Sequence, residues 1–312
     1  MNILVTGGAG YKGSVLIPQL LEDGHHVVSI DTNWFGENLE DHPNLTKIKE
    51  DIRNIESIPM HGIDSIVHLA NIANDPAVEL SPNLSWEVNV LASYQLADKA
   101  YRNNVRQIIY ASSGSVYGIK EESRVTEDLQ LVPISIYNKT KMVAERIVLS
   151  YSDKIKTHII RPATVCGYSP RMRLDVSVNM LSMQALEKKK ITVLGGKQTR
   201  PNIHIQDMIR VYEHFISNPD IENGCYNAGF ENISIMDIAK LVRDKITCEI
   251  IVKESNDNRS YRQNSDKIAS TGFDQKFFVE DAIKEIIEFY ENGILTDKEE
   301  FYNIRMMKKL FS

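Results

Sequence analysis

The sequence predicts an α/β fold in which a doubly wound parallel sheet carries a second, smaller α/β substrate lobe. Strand-like and helix-like segments alternate through the first half of the chain, an order typical of a parallel sheet with helices on both faces. After about Gly167 this alternation weakens, which indicates a more irregular lobe. The 312 residues suffice for two modest domains. We assign residues 1–167, with about 204–230, to the sheet domain, and 168–203 with 231–312 to the second lobe.

The first element is a short apolar strand that ends at Thr6 and leads into glycines at positions 7, 10 and 13. An apolar helical pattern starts at Val15. Glycines let the backbone turn tightly and approach a pyrophosphate, and the following helix N-terminus favours its charge. The pattern therefore predicts a Rossmann-type dinucleotide site, whose candidate contacts are Gly7, Gly10, Tyr11, Lys12 and Gly13.

The second strand, near residues 26–30, ends in Asp31, about twenty residues beyond the glycines. A carboxylate there accepts hydrogen bonds from ribose hydroxyls and repels a 2′-phosphate. No arginine follows in Thr32-Asn33-Trp34, so we expect NAD rather than NADP as cofactor. The alternative role for Asp31 is a cap at the end of the strand.

The remaining elements follow in order along the chain. Apolar runs predict strands at 46–49, 65–69, 107–112 and 158–161, and helical periodicity predicts helices at about 88–102 and 137–150. Beyond Gly167 we expect helix over most of 172–190, a strand at 191–194, and helices at 206–217 and 235–245. Functional loops should follow the carboxyl ends of the parallel strands.

Composition narrows the choice of partners and compartment. The net charge of −6 gives no overall attraction to nucleic acid or to an anionic membrane. Cys166, Cys225 and Cys248 are far apart, so we expect no disulfide framework, no metal site and a reducing compartment. The N-terminus resembles no signal peptide and no apolar run is long enough to span a bilayer. We therefore expect a cytoplasmic location.

Tyr137 and Lys141 lie four residues apart, and hence on one face of a helix. A phenol has a pKa near 10, and lowering it by about three units needs roughly 4 kcal/mol. One ammonium at about 4 Å, with an effective dielectric constant near 20, supplies about that amount. We therefore predict that Lys141 makes Tyr137 a general base, although such pairs taken alone are usually surface or packing residues. The hydroxyls of 112–118, directly after a strand, would face the substrate oxygen.

In their order and spacing these motifs resemble the extended short-chain dehydrogenase/reductase family, and most closely its NAD-dependent nucleotide-sugar epimerase/dehydratase group. The resemblance covers nearly the whole chain. The motifs are the three glycines, Asp31, Asp51-Ile52-Arg53, His68-Leu69-Ala70, Asn89-Val90, Ser112 to Gly118, Tyr137 with Lys141, and Arg161-Pro162. The resemblance implies NAD as cofactor, a nucleotide-diphosphate sugar as substrate, and a homodimer formed through the helices at 88–102 and 137–150.

The resemblance also implies roles for single residues. It places Ser113 with Tyr137 and Lys141 in catalysis, and gives Lys141 a second role at the nicotinamide ribose. The further cofactor contacts that it implies are Asp51, Ile52, Leu69 and Ala70. The implied substrate contacts are Asn74, Ser115, Asn179, Arg200 and Arg259. Asn74 alternatively caps a turn, and either arginine is alternatively a surface charge.

Departures from the family pattern narrow the expected chemistry. The 4,6-dehydratases of the group carry an Asp-Glu pair where this chain has Gly114-Ser115, so dehydration is disfavoured. Thr164 and Cys166 replace the usual Asn and Tyr beneath the sugar, and we interpret Cys166 as a packing residue.

We therefore expect oxidation of a nucleotide-activated hexose or heptose at C4 to a 4-keto sugar. The enzyme would be a 4-epimerase or a 4-dehydrogenase in surface-polysaccharide sugar biosynthesis. A keto-sugar reductase and a non-catalytic NAD-sensing protein of the same fold remain alternatives.

Overall fold

The structure, a computed structural model, describes residues 1–255 and 260–311. Its strands are β1 (Asn2–Thr6), β2 (His26–Asp31), β3 (Leu45–Lys49), β4 (Ser65–His68), β5 (Gln107–Ala111), β6 (Lys156–Pro162), β7 (Thr164–Cys166), β8 (Lys190–Leu194), β9 (Thr199–His204), β10 (Gly224–Ala228), β11 (Glu231–Ser234) and β12 (Glu249–Lys253). Its α-helices are α1 (Gly13–Glu22), α2 (Asp75–Leu80), α3 (Pro82–Trp86), α4 (Ala92–Arg102), α5 (Ile136–Leu149), α6 (Ser177–Lys188), α7 (Ile205–Ser217), α8 (Ile235–Lys245), α9 (Asp266–Ala269), α10 (Val279–Glu291) and α11 (Asn303–Phe311).

Seven strands form a parallel sheet in the order β10-β6-β5-β4-β1-β2-β3. From β1 the chain adds strands towards β3, and from β4 onward it adds them in the opposite direction across the sheet. This switch between β1 and β4 places a crevice beyond the carboxyl ends of the two strands. This arrangement confirms the predicted doubly wound α/β fold. Residues 224–228 join the sheet by pairing with β6.

Two apolar layers cover the sheet and explain why its strands are continuous apolar runs. On one face α1 and α7 pack through Leu16, Ile17 and Phe215. On the other face α4 and α5 pack through Leu96 and Val148. Helices therefore lie on both faces, as the alternating sequence pattern predicts.

The second half of the chain forms a separate apolar cluster around α6, α8 and α10. Two small sheets accompany it, β11-β9-β7 and β12-β8. Tyr11 of the glycine turn belongs to this same cluster. The glycine turn therefore packs directly against the second half of the chain.

The helix predicted over most of 172–190 is α6, which begins at Ser177. Residues 172–176 before it are not helical. In the preceding segment Arg173 pairs with Asp175, and Leu174 donates its backbone N–H to Phe301 O. Long-range contacts with the C-terminal part of the chain therefore replace the helical hydrogen bonds.

No helix within the described ranges is long and apolar enough to cross a membrane.

Candidate functional site

The glycine turn after β1 requires glycine for steric reasons. Gly7 has φ +73°, and a Cβ there would lie 2.7 Å from the backbone nitrogen of Ala70. A Cβ on Gly13 would lie 2.4 Å from Gly8 O. Both distances are shorter than van der Waals contact allows, so only glycine fits. Leu69 N also donates to Thr6 O at 2.9 Å, which brings the predicted contacts Gly7, Gly13, Leu69 and Ala70 together.

Gly10, Tyr11 and Lys12 lead from this turn into α1. Gly10 N donates to Gly7 O at 3.2 Å. The Tyr11 hydroxyl donates to Gly167 O at 2.8 Å, which ties the turn to the loop after β7. The Lys12 ammonium donates to the Tyr212 hydroxyl of α7 at 3.1 Å, and burial lowers the pKa of Lys12 to about 8.

Asp31 lies at the end of β2 beside the glycine turn. Its carboxylate accepts hydrogen bonds from Ala9 N at 3.0 Å and from Asn33 N at 2.9 Å. Burial raises its pKa despite these two bonds. The contacts fit the alternative role of a strand-end cap, and they also hold the carboxylate at the crevice where a ribose is expected.

Asp51 and Ile52, two of the predicted cofactor contacts, follow β3. Ile52 is buried. Asp51 forms an ion pair of 2.8 Å with Arg53. Burial raises the pKa of Asp51, but the hydrogen bonds and charge of Arg53 outweigh it and leave the pKa below its usual value.

Ser113 and Tyr137 meet at the carboxyl end of β5. Tyr137 lies in the first turn of α5, which Ser135 caps by accepting a hydrogen bond from Asn138 N at 3.1 Å. Tyr137 lies close enough to Ser113 for that serine to lower its pKa. The Ser113 hydroxyl lies 2.7 Å from the Ser115 hydroxyl. The structure therefore brings the predicted residues Ser113, Ser115 and Tyr137 together.

Lys141 makes its contacts with β5, and its effect on Tyr137 stays a prediction. Its ammonium donates to Ala111 O at 2.7 Å and lies 4.9 Å from the centre of the Tyr110 ring. Burial lowers the pKa of Lys141 well below its usual value, and the charge of Lys12 lowers it further. Burial raises the pKa of Tyr137 to about 12, and the effects that oppose this rise are the charge of Arg173 and the Ser113 hydrogen bond.

A buried ion pair that sequence reasoning missed fixes α5 against the sheet. Arg161 of β6 donates to Glu145, one turn beyond Lys141, at 3.0 and 2.8 Å. Ser112 donates to the same carboxylate. Ser112 is therefore committed to this pair, and of the three serines only Ser113 and Ser115 belong to the Tyr137 group.

A second network holds the loop after β4. His68 lies 2.6 Å from the Thr6 hydroxyl and 2.9 Å from the Ser93 hydroxyl. Asn89 accepts a hydrogen bond from Ile72 N at 2.7 Å and donates to the Thr140 hydroxyl at 3.1 Å. Asn89 lies in a π-helical turn, Glu87–Leu91, between α3 and α4, a distortion that often accompanies functional sites.

The predicted substrate contacts fall in different surroundings. Asn74 has φ +71°, caps α2 by accepting from Ala77 N at 3.0 Å, and donates to Asp175 at 3.2 Å. Asn179 is completely buried, and its amide bonds to Gly167 N, Arg173 O and the Tyr11 hydroxyl. These contacts make Asn179 a tie between the glycine turn and α6. Its role at the substrate stays a prediction that these contacts do not support.

The two arginines predicted to contact the substrate are separate cases. Arg200 lies in β9, opposite Ile233 of β11. Arg259 lies outside the described residues.

Asp175 joins three parts of the chain beside this site and was missed from sequence. Its carboxylate binds Arg173 Nε at 2.9 Å, and it accepts from Asn74 and from Asn303 N, each at 3.2 Å. Asn303 begins α11, whose Phe311 meets Trp34 edge to face at 5.8 Å. Arg171, Arg173 and Asp175 recur every second residue, a spacing that indicates extended chain rather than helix.

Within residues 1–255 and 260–311, no group of three or more His, Cys, Asp or Glu side chains could hold a metal ion. The steric fit at Gly7 and Gly13, the helix N-terminus of α1 and the acid at position 31 together define a dinucleotide-binding α/β protein.

The model of the NAD dependent epimerase/dehydratase family matches residues 3–229. The chain therefore belongs to this family, whose cofactor is NAD.

Individual relatives agree with that placement. A Bacillus subtilis (strain 168) protein named as an uncharacterized UDP-glucose epimerase is 30% identical over 263 residues, 78% of this chain and 82% of the relative. A UDP-glucuronic acid decarboxylase of Danio rerio is 26% identical over 94% of this chain and 73% of its own. A mutant UDP-glucuronic acid 4-epimerase from Bacillus cereus, solved with NAD and UDP-4-deoxy-4-fluoro-glucuronic acid, is 28% identical, with a TM-score of 0.84 over 94% of this chain and 99% of its own.

Proposed function

We propose that this protein is an NAD-dependent nucleotide-sugar 4-epimerase. The observation that carries the proposal is the meeting of Ser113 and Tyr137 at the carboxyl end of β5, with Lys141 one helical turn further along α5. These residues lie at the carboxyl edge of the parallel sheet, the same edge that carries the glycine turn. The names of the relatives support a UDP-sugar as substrate.

Tyr137 would exchange one proton with the C4 hydroxyl of the sugar. NAD held at the glycine turn would supply a hydride acceptor for C4 and a hydride donor for the return step. Tyr137 would take the hydroxyl proton, which would leave a C4 ketone on the sugar. If the ketone received the hydride on its opposite face and the proton from Tyr137, the product would be the epimer. Release of the keto sugar before that return would make the same site a 4-dehydrogenase.

The high pKa of Tyr137 sets a requirement for this chemistry. At about 12, the phenol is protonated at neutral pH, which suits the step in which it donates to the ketone. Acting as a base requires additional positive charge nearby, and the oxidised nicotinamide ring carries such a charge. Arg173 already acts in that direction.

A UDP-uronic acid is a second candidate substrate because of Arg173. Its charge acts on Tyr137, and a guanidinium pairs well with a carboxylate. Oxidation of a uronic acid at C4 gives a β-keto acid, which can lose CO₂. Decarboxylation is therefore a further outcome to be measured, and one relative is named for it.

The test is to incubate the protein with a panel of UDP-, dTDP-, GDP- and CDP-sugars that includes UDP-glucose and UDP-glucuronic acid. NADH absorbance and product mass are recorded. An isomer of equal mass supports the 4-epimerase, whereas a sugar lighter by two hydrogens with accumulating NADH identifies a 4-dehydrogenase. Loss of water would contradict the argument from Gly114 and Ser115.

Matched variants connect the activity to the site. Tyr137→Phe should lower kcat by about 10²- to 10⁴-fold and keep NAD binding. Gly13→Ala should lose NAD binding, because its Cβ would lie 2.4 Å from Gly8 O. Full activity in Tyr137→Phe would overturn the proposed role of this residue.

A further inference from the structure

A chain of two hydroxyls and one amide runs into the protein from Ser113, beside Tyr137. Ser113 is near enough to lower the pKa of Tyr137, and the Ser113 and Ser115 hydroxyl oxygens lie 2.7 Å apart. The Ser115 hydroxyl donates to Asn138 Oδ1 at 2.7 Å. The chain therefore ends at a side chain adjacent in sequence to the tyrosine beside which it begins.

The amide at the end of the chain sets the direction of every hydrogen bond in it. An amide oxygen only accepts hydrogen bonds, so the Ser115 hydroxyl must donate to Asn138. Ser113 must then donate to Ser115, and the Ser113 oxygen is left to accept from the Tyr137 hydroxyl. This direction fits a protonated Tyr137. Ser113 lowers the pKa of Tyr137, which requires the opposite direction, because only a donor stabilises the ionised phenol.

The Asn138 amide also has an unsatisfied group. Asn138 is 1% exposed, and its Nδ2 has no hydrogen-bond partner among the described residues. A buried donor left without a partner costs about 1–3 kcal/mol. A half-turn about the Cβ–Cγ bond exchanges Oδ1 and Nδ2, so that the unpaired NH₂ would donate to the Ser115 oxygen.

That half-turn reverses the whole chain. Ser115 would then donate to Ser113, and Ser113 would donate to Tyr137 or to the sugar oxygen. Each hydroxyl keeps its own proton and only rotates, so no net charge crosses the chain. The two directions match the two protonation states that Tyr137 needs before and after it takes the C4 proton.

We propose that Asn138 is a positioning residue whose amide reverses this hydrogen-bond chain, so that Ser113 accepts from protonated Tyr137 and donates to ionised Tyr137 or to the ketone oxygen. The inference rests on the proposed function of Tyr137 as the residue that exchanges the C4 proton. The backbone of Asn138 stays fixed meanwhile, because its N–H is bonded to Ser135 at 3.1 Å. Only the side-chain amide has to turn.

The test uses Asn138→Asp, whose carboxylate accepts but cannot donate, in the full-length enzyme with NAD. It locks the chain in the direction that favours protonated Tyr137. In oxidation of the UDP-sugar, the pH at half-maximal kcat/KM should rise by about one unit. At pH values below this midpoint, kcat/KM should be about tenfold lower than in the native enzyme.

The added negative charge would also raise that pH, so the same substitution is repeated in a Ser115→Ala background, where the chain is broken and only the charge effect remains. The double-mutant cycle should show a clearly smaller shift there. Equal shifts in the two backgrounds would mean that Asn138 acts by charge alone and would overturn the proposal.

A second variant guards against loss of folding. Asn138→Leu keeps the size of the side chain and removes both amide groups. It should lower kcat/KM in the native background and have no further effect in Ser115→Ala, whereas additive losses would contradict the chain. NADH binding and melting temperature verify the fold of each variant.

The outcome is separable from that of the proposed function. If no sugar of the panel is turned over, the proposed function fails, and the chain is measured by the [¹³Cζ]tyrosine NMR signal of Tyr137 in the NAD complex, assigned with Tyr137→Phe. Asn138→Asp should raise the titration midpoint of that signal more in the native than in the Ser115→Ala background. Equal shifts of the signal would again overturn the proposal.

Discussion

At the scale of single residues, His68 shows how burial ties this fold to pH. His68 is 1% exposed and bridges the hydroxyls of Thr6 and Ser93, so it joins β1, β4 and α4 beneath the site. Burial lowers its pKa to about 3, and the charge of Lys141 acts in the same direction. His68 is therefore neutral in the folded protein at neutral pH.

This depressed pKa predicts a loss of stability in mild acid. Below the unfolded pKa of about 6.5 the unfolded chain takes up a proton that folded His68 excludes, so the free energy of unfolding falls as pH falls towards 3. At pH 5 this proton uptake lowers the free energy of unfolding by about 2 kcal/mol relative to its value near neutral pH. Urea unfolding of His68→Gln should show a pH dependence between 7 and 5 that is weaker by about this amount.

The exposed His61 provides the control for this measurement. His61→Gln should retain the slope of the native protein. If the pH dependence of the free energy of unfolding is unchanged in His68→Gln, His68 is not the group responsible for it. His158, whose pKa burial lowers to about 4, contributes with the same sign and accounts for part of the remaining slope.

Some residues of the site can be predicted from the sequence around them, and others cannot. Gly7, Gly13 and Asp31 could be predicted because a turn and a strand end constrain them within about thirty residues of sequence. The electrostatics of Tyr137 could not, because Lys141 turns to Ala111 O and Arg173 supplies the opposing charge. Such effects depend on where a side chain points, which sequence spacing does not determine.

At the scale of elements, α5 depends on an ion pair with β6 that lies almost out of contact with water. The side chains of Arg161 and Glu145 are 4% and 1% exposed, and two hydrogen bonds join them. Charges so deeply buried are costly unless they are paired. The pair therefore holds the helix that carries Tyr137, Asn138 and Lys141 at a fixed height on the sheet.

Removing one partner of this ion pair should strongly destabilise the folded protein. Glu145→Leu leaves the Arg161 guanidinium buried without its carboxylate and should lower the free energy of unfolding by about 3–5 kcal/mol. The double variant Glu145→Leu with Arg161→Met removes both charges and should recover a large part of that loss. Urea unfolding of the four proteins gives the coupling energy, and a double variant as unstable as the sum of the singles would contradict this account.

Elements could be predicted from sequence where their pattern is local and continuous. The apolar runs of β1, β2, β4 and β5 are buried on both faces and stand out for that reason. By contrast, β7 and β9 pair residues that are 38 positions apart in sequence, and their short segments carry no continuous apolar run. The start of α6 at Ser177 could not be predicted from sequence, because the partners of the segment before it lie near residue 301.

At the scale of the whole molecule, one apolar surface lacks a covering within the described chain. Trp86, Leu91 and Tyr94 are 38%, 51% and 47% exposed on α3, the π-helical turn and α4. With Val90 and Ile147 they line a hollow of about 400 Å³. Soluble monomers rarely expose contiguous apolar patches of this kind, so the surface supports the predicted homodimer through α4 and α5.

The dimer is tested by placing a charge on that surface. Leu91→Asp and Tyr94→Asp should convert a dimer into a monomer, because an interface of standard size buries about 1,600 Å² and does not tolerate an unpaired carboxylate near its centre. Light scattering after gel filtration gives the mass directly. Ile294→Asp, at a residue 57% exposed beyond α10, is the matched control and should leave the mass unchanged. A native protein that elutes with the mass of one 35.5 kDa chain would refute the dimer, and dissociation by the control as well would show that the effect is not specific to the α3–α4 surface.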